Sequence, residues 1–254
     1  MDKAHKDALF TYLLRLGDNQ LVLSHRLSQW CGHAPELELD IALANIGLDI
    51  LGQARTLLTM AGELEGQGRD EDRLAFFRDE REFCNLLLCE QPNGDFARTL
   101  MRQWWLDNYH QLLFTALTGS GYAPLAAFAA KSLKEVNYHL RFSNGWIQRL
   151  GLGTEESHSR TQAALDELWR FTGELFATDE VEAMLVAAGI LPGLDELAGQ
   201  WRARIEAGCR QAELTQPSQA PYRQGGRQGR HTEHLGFLLA EMQSLPRAHP
   251  NVSW

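Results

Sequence analysis

Apolar residues recur at three- and four-residue spacing along most of the chain, and no stretch shows sustained alternation. That period is helical. It predicts a first helix from about Asp7 to Trp30, followed by a turn at Gly32 and Pro35. A second runs from about Glu36 to Glu65 and ends in the polar, glycine-bearing run EGQGRDED. A third covers about Arg73 to Glu90 and stops at Pro92-Asn93-Gly94. The fourth starts at Asp95, a favoured N-cap residue, and reaches about Thr118 before Gly119-Ser120-Gly121. The fifth opens by Pro124, suited to a first helical turn, and ends near Leu150, ahead of Gly151 and Gly153. Further helices fit Ser157 to Phe176, Asp179 to Ala188, Leu194 to Leu214 and Thr232 to Leu245. The run TQPSQAPYRQGGRQGR between the last two reads as a surface loop, because too little chain follows it to fold alone. No internal repeat or low-complexity tract interrupts this pattern. The expectation is all-α: a single domain over residues 1–254, built as a bundle of long helices with additional C-terminal helices.

The second helix is apolar almost all round, with Leu39, Ile41, Leu43, Ile46, Leu48, Ile50, Leu51, Leu57 and Leu58. Such a helix is expected to be buried on most of its surface. Asn45, Asp49, Gln53 and Thr56 share one face of it. A buried carboxylate must be paired, hydrogen-bonded or on a metal, and pairing with a cation of a facing helix is the ordinary reading for Asp49. On the fifth helix Phe128, Ser132, Val136, His139, Ser143, Trp146 and Leu150 share a face, and His139 is the ionisable group on it. Lys134 and Glu135 project elsewhere around the helix. The fourth helix places Asp107 and His110 three apart, close enough to meet on one face.

A helical bundle that holds two irons or manganeses needs a Glu-x-x-His on each of two helices and a further carboxylate from each of the other two. Here Asp49-Ile50-Leu51-Gly52 keeps a carboxylate and has Gly52 where an imidazole is required. Val136-Asn137-Tyr138-His139 keeps the imidazole and has Val136 where the carboxylate is required. His25 stands on the first helix, where a bundle carboxylate is expected. Asp49, Asp107, His25, His110 and His139 supply two carboxylates, against about four that a di-iron pair takes. The pattern is that of a di-metal site with ligands removed. It predicts no catalytic residue and no tight di-iron pair in this chain, and leaves room only for a weak single-metal site.

Composition narrows the class. The length of 254 residues suffices for one large core, and 44% hydrophobic residues is ordinary for a globular protein. A net charge of −9 argues against nucleic acid as a partner. No apolar run reaches the roughly 20 residues of a membrane span, and MDKAHKDALF lacks a signal-peptide core, so a cytoplasmic protein is expected. The four cysteines form no C-x-x-C and no small-domain disulfide pattern, which fits free thiols in a reducing compartment. There is no G-x-S-x-G, and GGRQG follows no strand, so neither a serine nucleophile nor a dinucleotide loop is indicated. His231-Thr232-Glu233-His234 lacks further metal ligands, and Thr232 reads as the cap of the last helix. Arg223, Arg227, Arg230 and His231 form a basic spot on an acidic chain. They are candidates for contact with an anion, such as the phosphates of coenzyme A, or with an acidic partner surface.

The segments LRLGDNQLVLSHRLSQWCGHAPELELDIALANIGLDILGQAR (Leu14 to Arg55), RDEREFCNLLLCEQPNGDFA, KEVNYHLRFSNGW and GRHTEHLGFLLAEMQ resemble the PaaC family, the C subunits of the bacterial phenylacetyl-CoA 1,2-epoxidase complex. They cover nearly the whole chain, in family order. The resemblance implies a ferritin-like helical protein regarded as structural and non-catalytic. Its implied partners are a catalytic A subunit that carries the di-iron centre, a small B subunit and a reductase, E, with flavin and iron–sulfur. Such a complex uses NADPH and O2 to epoxidise the aromatic ring of phenylacetyl-CoA in aerobic phenylacetate catabolism. The Glu-x-x-His motifs of the active paralogue correspond to Asp49–Gly52 and Val136–His139, both broken, and Asp107 falls at a carboxylate position. No cofactor is expected in this chain itself.

Two function classes follow. The first is a scaffold that packs against the catalytic subunit, with some of Trp104, Trp105, Tyr109 and Trp254 as candidate anchors, core packing being the default for each, and with self-association when alone. The alternative is an autonomous ferritin-like metalloenzyme using Asp49, Asp107, His110 and His139 with an unusual metal.

Overall fold

The computed structural model describes residues 1–250 and 252; Trp254 lies outside the described residues. All regular structure among the described residues is helical, as the period predicts. The chain divides into two compact units, residues 1–92 with 225–254, and residues 93–224.

The first unit is organised around a hairpin of α1 (Lys3–Ser28) and α2 (Leu37–Glu65). Asp2 caps α1 by accepting from the His5 amide at 2.9 Å. Gly66, in the left-handed region at φ 72°, ends α2. The inward seam of α2 runs through Leu39, Leu43, Ile46, Ile50, Gln53, Leu57 and Ala61, all buried. Gly17 lets α1 approach this seam, since a Cβ there would meet the Leu58 side chain at 2.7 Å. Gln20 Nε2 donates to Gln53 Oε1 at 3.1 Å within the same buried layer.

The expected third helix, Arg73 to Glu90, is not continuous. The chain forms α3 (Glu71–Phe76), a 3-10 turn (Glu80–Glu82) and one turn of α4 (Leu87–Glu90). Two local forces break it. Asp79 and Glu82 cap one another's backbone in a capping box. Arg78 turns inward to a fork on the buried Asp18 carboxylate, with Arg78 Nη1 to Asp18 Oδ2 at 3.0 Å. The last helix, α10 (Glu233–Ala248), closes this unit: Gln243 Nε2 donates to the Ala75 and Arg78 carbonyls at 3.1 and 3.0 Å.

The second unit holds α5 (Phe96–Leu117), α6 (Ala123–Gly151), α7 (Glu155–Leu168), α8 (Glu180–Ala187) and α9 (Leu194–Gln211). Asp95 caps α5 as its sequence suggests, accepting from the Arg98 amide at 2.9 Å. α5 and α6 form the long hairpin, the element from which ferritin-like bundles are assembled. α5 packs on α6, α7 and α9 and is buried nearly all round. Trp104, Trp105 and Tyr109 are therefore core residues, their default reading, and are not exposed anchors. The indole of Trp104 donates to Asn144 on α6, while Trp201 Nε1 donates to the Trp105 carbonyl at 3.0 Å. The helix expected over Ser157–Phe176 ends at Leu168 and tightens into a 3-10 turn, Trp169–Glu174. The Arg170 carbonyl there is taken by the amides of Tyr222 and Arg223, at 3.2 and 2.9 Å, instead of by the next helical turn.

Candidate functional site

Of the buried polar residues of the second unit, Gln103, Asp107 and His110 lie on α5, and His139 and Ser143 on α6. Asp107 is fully enclosed; its Oδ1 accepts from Gln103 Nε2 at 2.6 Å and its Oδ2 from Ser143 Oγ at 2.7 Å. Burial pushes the Asp107 carboxyl up to about 6, against the pull of the His139 charge and of the Ser143 and Gln103 hydrogen bonds. Val136 and His139 are both buried on α6, as their shared face predicts. His110 is buried too, stacked on Phe114 with ring centroids 5.4 Å apart. Burial, with His139 nearby, presses its imidazole down to about 3, so it is neutral at any ordinary pH.

A di-metal centre does not fit this arrangement. Asp107 is the carboxylate these faces of α5 and α6 supply, and each of its oxygens accepts a hydrogen bond from a neighbouring side chain. A divalent pair takes about four carboxylates, and the faces of α5 and α6 do not supply them. Among the described residues no group of three or more His, Cys, Asp and Glu is arranged to hold a metal ion.

The first unit carries the other half-motif, and there the helix faces differ from expectation. Gln53, and not Gly52, lies on the inward seam of α2. Asp49 is half-buried, Asn45 and Thr56 are exposed, and Gly52 faces open space with no atom within 4 Å of the position of a Cβ. Leu37, Ile41, Leu48 and Leu51 are exposed as well, so α2 is not buried on most of its surface. Its apolar residues fall on two faces, and one of them is outward. His25 on α1 is half-buried; burial lowers its pKa, and Glu241 opposes that shift.

The Arg-rich segment separates into distinct parts. Arg223, in the second unit, and Arg230, in the first, are exposed. Arg227 is buried, and His231 is locked in the first unit by two hydrogen bonds: Nδ1 to Glu90 Oε2 and Nε2 to the Phe83 carbonyl, each 2.8 Å. Glu90 also accepts from the Thr232 amide at 2.6 Å, from Thr232 Oγ1 at 2.7 Å and from Asn85 Nδ2 at 2.8 Å. Thr232 does stand at the N-cap of α10, but its hydroxyl serves Glu90 and not the helix amides. The glycines of GGRQG let this strap lie on the chain beneath it. A Cβ at Gly226 would occupy the place of the Asn85 carbonyl oxygen, and one at Gly229 (φ 69°) that of Arg81. Residues 225–232 are thus a packed strap and not a solvated loop.

Neither Glu90 nor the Asp18–Arg78 pair stands out in the sequence. The signal it does offer is the glycine spacing in GGRQG, which marks a close backbone approach as readily as a mobile loop.

A profile described as phenylacetic acid catabolic protein matches residues 1–254. The chain belongs to the phenylacetic acid catabolic protein family. It is 56% identical to the C subunit of the 1,2-phenylacetyl-CoA epoxidase of Escherichia coli (strain K12), over 246 residues that make up 97% of this chain and 99% of the other. This bears out the resemblance carried by the segments from Leu14 to Arg55 onward. No helix among the described residues is long and apolar enough to cross a membrane.

Proposed function

We propose that this chain is the structural C subunit of a phenylacetyl-CoA epoxidase that works in phenylacetate catabolism in the cytoplasm. In this reading it is not catalytic by itself. It holds the di-iron A subunit in shape, beside a small B subunit and a reductase, E, that delivers electrons from NADPH through flavin and iron–sulfur. The observation that carries the reading is the 56% identity to a C subunit across nearly the full length of both chains. The Asp107 cluster is in keeping with the non-catalytic part, because its carboxylate is engaged by Gln103 and Ser143 in hydrogen bonds that tie α5 to α6. In this reading the two half-motifs play no chemical part, and the burial of Val136 and His139 in the core and the place of Gly52 on the outside of α2 are in keeping with it.

The test is metal content and turnover with and without the partner. Co-expression with the di-iron partner is expected to give a complex of fixed stoichiometry, with iron in the partner and loss of epoxidation when this chain is omitted. About two irons per chain in the protein purified alone, with O2-dependent turnover, would establish the autonomous metalloenzyme instead.

A further inference from the structure

The outward face of α2 repeats the pattern of its inward face. Leu37, Ile41, Leu48 and Leu51 are 71%, 53%, 65% and 41% exposed. With the half-buried Ala44 between them, they follow one another at spacings of four, three, four and three residues. That is the heptad of a coiled-coil seam, carried on the side of the helix away from α1. Isolated exposed apolar residues need no explanation, but a contiguous row of this length marks an interaction surface.

At the centre of the row lies a socket. Leu48, Leu51, Gly52 and Arg55 stand at i, i+3, i+4 and i+7, the four positions that form the hole for one incoming knob. All four are exposed, and Gly52 forms the floor. Arg55 is held as a wall by its Nε hydrogen bond to Glu71 at 3.0 Å. A groove of about 540 Å³ continues from this socket to Asp72 and Phe76 at α3. Glycine is the weakest helix former after proline. Among the described residues no packing partner lies within 4 Å of the place a Cβ would take at Gly52, so the packing of α2 itself does not ask for a glycine there. A backbone or side chain that closes on the helix from outside does.

The charges beside the row select the occupant. Glu36 and Glu38 are exposed at one end, and Asp72 stands at the groove. The cation of the groove, Arg55, is already paired with Glu71. A second copy of this chain, at net charge −9, would bring like charge to an acidic rim. We infer that the outward seam of α2 docks one long helix of the catalytic subunit, with an apolar heptad row flanked by Lys or Arg, and with one side chain seated over Gly52.

This rests on the proposed structural role, and the experiment separates the two. The wild-type chain, Gly52→Leu, Leu48→Glu and, as a control on another exposed apolar residue, Phe237→Glu are titrated against purified catalytic subunit. Each chain is also melted alone. Gly52→Leu fills the socket while improving helix propensity, so it is expected to melt above wild type alone and yet bind at least tenfold more weakly. Leu48→Glu is expected to bind more weakly still, with an unchanged fold, and Phe237→Glu to bind as wild type. Wild-type binding that both α2 variants retain would overturn the seam and leave the structural role standing. Failure of the wild-type chain to bind the catalytic subunit would remove both. A homodimer that Leu48→Glu dissolves, with the heterocomplex intact, would overturn the inference by showing a second copy on this face.

Discussion

Glu90 Oε2 and His231 Nδ1 meet at 2.8 Å with neither side chain exposed. Because His231 Nε2 also bonds the Phe83 carbonyl, both ring nitrogens face acceptors, and the charged imidazolium satisfies both. Burial alone pushes the His231 pKa down; the Glu90 hydrogen bond and charge, with the Phe83 bond, outweigh it, and the net shift is upward. A raised folded-state pKa contributes stability that is fully present below the unfolded value of about 6.5 and is lost as pH rises through the folded value. Urea unfolding between pH 6 and 9 is therefore expected to show falling stability. His231→Gln should flatten that fall and, by leaving a buried carboxylate without its cation, cost about 3 kcal/mol or more at pH 6. A slope that His231→Gln leaves intact would assign it to another group.

The strap that carries His231 depends on its glycines. Gly229→Ala forces a side chain into a left-handed conformation at φ 69°, which costs about 1–2 kcal/mol, and adds a collision with the Arg81 carbonyl oxygen. The expected result is a loss of about 2 kcal/mol or more in denaturant unfolding. New protease cleavage between Gln224 and His231 should accompany it. Gly52→Ala is the contrasting case: it sits in open space within a helix and should stabilise the isolated chain by about 1 kcal/mol. Equal effects of the two would refute the assignment of Gly229 to a close approach.

Arg78 and Asp18 form a further buried ion pair of the first unit. Asp18 also accepts from the Cys84 amide at 2.8 Å. Asp18→Ala leaves a buried guanidinium without its counter-ion, at a cost of about 3–5 kcal/mol. The double variant Asp18→Leu/Arg78→Met removes both charges together and is expected to recover much of that loss. Chemical denaturation of the three variants and wild type closes the cycle. A double variant as unstable as Asp18→Ala would mean that the pair acts through its backbone contacts and not through charge.

What is legible in the sequence is periodicity and punctuation. Asp95, Gly66 and Pro124 mark true helix ends, because a cap, a left-handed residue and a missing amide act locally. The break within Arg73–Glu90 is not legible, since Arg78 leaves the helix for Asp18, sixty residues away in sequence. The inward placement of Val136 and His139 follows from an α6 with one apolar face. The same argument fails at Asp49 and Gly52, because α2 has two apolar faces, and a hydrophobic pattern does not distinguish a face turned to its own core from one turned to a partner. The Arg-rich run misleads for a related reason. Its glycines signal either freedom or close approach, and only Glu90, remote in sequence, decides between them.

The Asp107 cluster gives a test that joins stability to function. The buried carboxyl is raised to about 6, so between its unfolded value, about 4, and 6 the folded state binds more protons, and stability falls as pH rises through that window. A displacement of that size corresponds to about 3 kcal/mol. His110, lowered to about 3, works in the opposite sense: its contribution is present above about 6.5 and is lost on acidification. Asp107→Asn removes the first effect and keeps the shape, since the Ser143 hydroxyl can turn to accept from the new amide. The variant is expected to be more stable than wild type at pH 7.5, by up to about 3 kcal/mol, and to lose stability more steeply between pH 6.5 and 4. In the reconstituted complex it should turn over substrate at the wild-type rate, because Asp107 holds α5 to α6 and touches no reacting atom. Lost turnover in a correctly assembled, stable Asp107→Asn complex would show that this carboxylate takes part in the chemistry after all.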